Sequence, residues 1–150
     1  MPEQAGDQNL EAAIDEARKG FEEGGIPIGS VLVCDGKIVG RGRNRRVQDG
    51  SVIHHAEMNC LENAGRLPAR TYARCTVYTT LSPCPMCSGA MILYGIRKCV
   101  IGENRTFMGA EDLLRSKGVE VVVRDNEECR RLMKAFIDRS SEVWNEDIGT

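Results

Sequence analysis

The chain is poor in several things. It has two histidines, one tryptophan and no apolar run near about 18 residues, so a membrane-spanning helix is excluded. It has no basic excess either. The formal net charge is −2, which argues against nucleic acid as the main partner, because phosphate binding needs clustered lysine and arginine. The stretch from Met1 to Asn9 is polar and lacks an apolar signal core, so a cytoplasmic protein is expected. In that setting seven cysteines read as thiols and metal ligands and not as a disulfide set. What remains is ordinary for a globular chain, 41% apolar and 28% charged over 150 residues, which predicts one domain with 1–9 as a loose tail.

Leu10, Ala13, Ile14, Ala17 and Phe21 recur at helical spacing and predict an amphipathic helix over 10–23. Gly24-Gly25 stops it, and Pro27 forbids its return. Two apolar runs, 28–34 and 37–43, flank Asp35-Gly36 and predict a hairpin. A loop over 44–54 leads to a helix over 55–63, closed by Gly65. Strands are expected at 75–80, 98–102 and 119–123, and helices at 84–94, 110–116 and 126–139, the last capped by Asn126. After the hairpin, strands alternate with helices. That order predicts a mostly parallel sheet covered on both faces, with the last three strands as its interior.

The chemistry concentrates in two short stretches, His55-Ala56-Glu57 and Pro83-Cys84-Pro85-Met86-Cys87. Cys84 and Cys87 are three apart, so they share one face in the first turn of their helix, where the dipole favours thiolate. Pro83 and Pro85 suit positions where a missing N–H does no harm. With His55 this makes three zinc ligands, and three leave the fourth tetrahedral position open to water, as catalytic zinc requires. His-x-Glu followed by Pro-Cys-x-x-Cys is the signature of zinc-dependent nucleobase deaminases. Glu57 is too close in the chain to His55 for a comfortable fourth ligand. It is near enough to move protons between that water and a substrate. His54 adjoins His55, cannot easily point the same way, and reads as a loop residue. The other five cysteines read as small buried hydrophobes.

Beyond the zinc signature, the chain resembles the fungal-type cytosine deaminases of the cytidine deaminase superfamily. The likeness runs from about Leu10 to Gly149. It rests on Gly24-Gly25-Ile26-Pro27-Ile28-Gly29, Gly40-Arg41-Gly42-Arg43-Asn44, Tyr78 to Cys84, Ile101-Gly102-Glu103-Asn104 with Phe107, and the tail Trp144-Asn145-Glu146-Asp147-Ile148-Gly149. The resemblance implies an α/β fold, a three-layer α-β-α sandwich around a five-stranded mixed sheet, with one Zn2+ per subunit of a homodimer. It also implies that Asn44 holds the carbonyl and a ring N–H of a free base, and that Asp147 accepts from the amino group being lost. Backbone at Ala56, Leu81 and Ser82 would line the pocket, Ile28 would form its floor, and Phe107, Trp144 and Ile148 would belong to a lid completed by residues 140–150.

The chain departs from that family in two places. It has Val47 where those enzymes carry phenylalanine, and His54-His55-Ala56-Glu57 where they carry Leu-His-Gly-Glu. A smaller residue at 47 would widen the pocket, so isocytosine, a 5-substituted cytosine or an aminotriazine stands as an alternative substrate to cytosine. Two other functions are compatible with parts of the sequence. A tRNA adenosine deaminase would use Arg41, Arg43, Arg45 and Arg46 as a phosphate strip, and a non-catalytic zinc-stabilised subunit would have a closed metal site or lack the proton carrier.

Overall fold

The computed structural model describes residues 2–150. Met1 of the expected tail lies outside them. From Pro2 onward the chain is already helical, so α1 (Pro2–Glu22) begins well before Leu10. Proline is at ease in a first turn, and Glu3, Gln4 and Ala5 are good helix formers. The hairpin forms as expected from β1 (Gly29–Cys34) and β2 (Lys37–Arg43). Asp35 and Gly36 both take positive φ, 51° and 80°, the twist that a two-residue hairpin loop needs. The register shifts between Leu32 and Val33, which leaves Val39 as a bulge on β2.

Two short helices, α2 (Arg46–Asp49) and α4 (Ala69–Tyr72), punctuate the segments around α3 (Ala56–Ala64). Then come β3 (Cys75–Leu81), α5 (Pro85–Tyr94), β4 (Lys98–Glu103), α6 (Glu111–Ser116), β5 (Glu120–Val123) and α7 (Glu127–Asp147). The expected tail is therefore mostly helical. α7 breaks at Ser140 (φ −147°, ψ 59°) and resumes as far as Asp147.

The sheet order is β2-β1-β3-β4-β5. β1 is antiparallel to both β2 and β3, while β3, β4 and β5 run parallel. This corrects the expectation of a mostly parallel sheet with the last three strands inside. β5 is an edge strand, only partly buried, and the fully buried β1 takes the interior place. An apolar run signals burial without saying how many strand neighbours provide it. Here β1, carried beside β3 by the hairpin, has two.

Helices cover both faces. Leu10, Ala13 and Ile14 of α1 and Cys129 of α7 pack with Val31, Val33, Tyr78 and Val100. Cys60 of α3, Met91 of α5 and Leu114 of α6 pack with Leu32, Val77, Cys99 and Ile101 on the other face. Gly42 permits the close seating of α3, because a Cβ there would run into the amide of Cys60. A third cluster closes one end of the sheet and contains Ile28, Ala56, Leu81, Phe136 and Trp144. Among the described residues no helix is long and apolar enough to cross a membrane.

Candidate active site and metal centre

At that end of the sheet two helix starts converge. Cys84 is the N-cap of α5. Its sulfur accepts from the Cys87 amide at 3.5 Å, and Pro85 occupies the first turn. His55 is the N-cap of α3. Its Nδ1 lies 3.4 Å from Cys84 Sγ and 3.7 Å from Cys87 Sγ. The three donor atoms fall within 4.8 Å of one another. His55 Nε2 faces Asp147 Oδ1 at 3.3 Å, the outer partner that fixes the ring of a metal-binding histidine. One imidazole and two thiols whose other contacts are so arranged fit a zinc ion. One zinc is the cofactor of such a site, and His55, Cys84 and Cys87 are the residues that would hold it.

The protons of the cluster are unevenly shared before metal enters. Cys84 is drawn down to about 4, chiefly by the hydrogen bond with Cys87 and, against its burial, by His55. Cys87 is pushed up by that same contact and by burial. Burial acts against the His55 cation, but Asp147 and Cys84 outweigh it and lift the ring to about 10. A metal held here would need both sulfurs as thiolates and the imidazole neutral, so its binding would release protons.

Glu57, on the first turn of α3, is buried. Burial raises its carboxyl to about 7; His55 opposes this and the Cys84 and Asp147 charges add to it. A bound dication would draw it down again. A carboxyl lining the same cavity as His55 and Cys84 is placed both to accept a proton and to return it.

Asp147 binds the remaining parts together. Its Oδ1 accepts from Asn44 Nδ2 at 3.0 Å and lies 3.5 Å from Arg46 Nη1, besides His55. Asn44, fully buried, uses its Oδ1 to accept from the Arg46 amide at 3.1 Å. Ile28, His55, Glu57, Leu81, Ser82, Cys84, Phe107, Trp144, Asp147 and Ile148 line a cavity of about 20 Å3. That is room for roughly one water. Phe107 meets Trp144 edge to face, with ring centroids 6.1 Å apart. Asn44 and Ala56 stand behind this lining. Val47 is not part of this lining: it lies on α2 and is 47% exposed. His54 is turned away as expected, its ring nitrogens facing Asp49 and Glu62.

Three acidic or basic groups took parts that sequence reasoning missed. Ser82 spends its hydroxyl on the buried Glu111, donating at 2.6 Å, and accepts from the Gly109 amide at 2.9 Å. This ties the loop before Cys84 to the loop after Phe107. Gly109 is required at that seam, because a Cβ would collide with the Pro83 carbonyl. Glu103 accepts from the amides of Arg105 and Thr106, both at 2.8 Å, and so shapes the turn that delivers Phe107. Arg46 clamps Asp147. A glutamate in a first helical turn has an ordinary dipole explanation, so Glu111 gave no signal. The other arginines of the basic run are paired too: Arg41 and Arg43 with Glu16, Arg43 also with Glu23, and Arg45 with Asp49.

Residues 4–103 match the model of the cytidine and deoxycytidylate deaminase zinc-binding region. The chain is 53% identical over 143 residues to the cytosine deaminase of Candida albicans, covering 95% of each. It is 43% identical over 94 residues to a tRNA-specific adenosine deaminase of Bacillus subtilis, covering 62% of this chain and 58% of that one. Among solved structures, one from a study of A-to-I editing by tRNA:A34 deaminases superposes with a TM-score of 0.71 at 28% identity, covering 84% of this chain and 99% of its own. These likenesses, and a His-Cys-Cys centre at the end of a five-stranded mixed sheet, place the chain among the fungal-type cytosine deaminases of the cytidine and deoxycytidylate deaminase family.

Proposed function

We propose that this protein hydrolyses free cytosine to uracil and ammonia, with Glu57 as proton carrier and Asn44 and Asp147 as the groups that read the base. The observation that carries the reading is Asp147. A carboxylate from the end of the chain sits 3.0 Å from Asn44 Nδ2 and 3.3 Å from His55 Nε2, so donors and acceptors for a small planar amine meet beside the metal ligands. Zinc held there supplies the positive charge that makes water a nucleophile near neutral pH. Glu57 takes a proton, delivers it to the ring nitrogen next to the amino-bearing carbon, and then helps protonate the departing amine. Phe107, Trp144 and Ile148 cover the base and exclude bulk water.

A cavity of about 20 Å3 admits no base as it stands. We assign the segment after the Ser140 break as a lid that opens for entry and release. The same closure, together with the paired arginines, favours a free base over a tRNA loop. The test is ammonia release by the zinc-loaded protein from cytosine, isocytosine, 5-methylcytosine, ammeline, guanine, adenine and cytidine. Cytosine should be preferred. Preference for another base would refute the substrate, and silence across the panel would refute the reading as a whole.

We also propose a homodimer. Leu93 is 74% exposed, Val52 72%, Ile53 51% and Tyr94 48%. Ile53, Leu93 and Tyr94 border a groove of about 650 Å3 between α3, α4 and α5. Apolar exposure on this scale marks an association surface. Leu93→Glu should halve the mass in solution, read by light scattering on a sizing column. An unchanged mass would move the interface elsewhere. Seven cysteines without a disulfide suit a cytoplasmic location, which is the placement we favour.

A further inference from the structure

At the end of the sheet remote from the metal, two cysteines face each other across adjacent strands. Cys34 closes β1 and Cys75 opens β3, and the antiparallel register pairs them directly. Both side chains enter the same core cluster, so both point to the same face. Both sulfurs crowd one carbonyl: Cys75 Sγ lies 3.2 Å and Cys34 Sγ 3.9 Å from Thr71 O. Directly opposed residues on neighbouring antiparallel strands have Cα atoms about 4.5–5.5 Å apart, within the span a disulfide bridges. None of the chemistry assigned above uses either residue.

We infer that Cys34 and Cys75 form a redox-modification site, a dithiol that closes to a cross-strand disulfide by exchange with a low-molecular-weight disulfide. Cys34 reacts first. It is 7% exposed against 2% for Cys75, and it borders the Asp35-Gly36 turn at the rim of the sheet. Its sulfur attacks one sulfur of the small disulfide, the S–S bond breaks, and one small thiol leaves. Cys75 Sγ then attacks Cys34 Sγ and expels the second small thiol. Two protons and two electrons pass from the protein to the two thiols. Cys75 is the poorer initial nucleophile, since burial and the neighbouring Cys34 raise it to about 12, and it gains from attacking a partner already held against it.

The bond would close a loop of some forty residues, a length at which a staple constrains the unfolded chain strongly. Cys75 and Leu81 sit at opposite ends of β3, about 20 Å apart at about 3.3 Å per residue. Oxidation is therefore a stability device that spares the active site. The test uses the full-length zinc-loaded protein in oxidised and reduced glutathione, with remaining thiols alkylated and peptides mapped without reduction. The expected product is a Cys34–Cys75 cross-linked peptide, with a thermal midpoint raised by roughly 5–10 °C and turnover within about twofold, all reversed by thiol. Cys34→Ser should abolish both cross-link and gain. The inference is overturned if the two stay free, if they stop at mixed disulfides, or if Cys84 and Cys87 oxidise in their place. The map of the unmutated protein decides this even where a variant folds poorly.

Discussion

Glu57→Gln should cut turnover by about 10³-fold while the protein keeps its full zinc content, because a carboxyl that relays protons contributes factors of about 10²–10⁴. That loss corresponds to about 4 kcal/mol of barrier. Gln preserves the shape and one hydrogen-bonding oxygen, so the fold has no reason to change. Stability in the zinc-free protein should hold or improve. A buried acid lifted to about 7 binds a proton in the fold that the unfolded chain has already lost above its ordinary value of 4.5. Stability conferred by this group is therefore present at low pH and lost as pH rises through about 7, and Gln removes that dependence. Zinc content, thermal midpoint and steady-state turnover are the three readouts. Undiminished turnover would remove Glu57 from the mechanism; loss of zinc would recast it as a metal-site support.

The second large effect is expected at Asp147. Asp147→Ala leaves Asn44 Nδ2 and His55 Nε2 without their shared acceptor and frees Arg46. Efficiency, as kcat/KM for the preferred base, should fall by about 10²–10³-fold, the scale on which unpaired polar groups in a recognition site discriminate. The contact with His55 adds a second loss: removing the outer partner of a metal-binding histidine typically costs about 10–100-fold in metal affinity or activity. Assays across a zinc titration separate the two. Efficiency still depressed at saturating zinc assigns the carboxylate to the base. Full recovery at high zinc would confine it to orienting His55.

This double duty of Asp147 shows where the sequence was readable. His55, Glu57, Cys84 and Cys87 stand in two compact motifs whose spacing alone puts each group on a helix start. The hairpin was legible because Asp-Gly carries its own backbone preference. What was hidden depends on partners far apart in the chain: 103 residues separate Asn44 from Asp147, and 29 separate Ser82 from Glu111. A carboxylate's partner is chosen by the finished fold, and nothing local announces it. Val47 lies outside the cavity lining for the complementary reason. Its neighbour Asn44 is buried at the site, but the single turn of α2 carries residue 47 outward. The position of β5 was misread because hydrophobic content reports burial and is silent on neighbour order.

The outer margin of β2 has a bearing on how the molecule behaves in a crowded solution. Unpaired strand margins invite other chains to add to the ladder, and Ile38 and Val39 are more than one-third exposed there. The bulge at Val39 spoils the flat template such growth needs. Arg41 and Arg43, anchored to Glu16 and Glu23, set a fixed lattice of charge along the same margin. The basic run that looked like a landing strip for phosphate is thereby spent on the protein's own surface, where bulge and charge together make this margin a poor partner for a foreign strand.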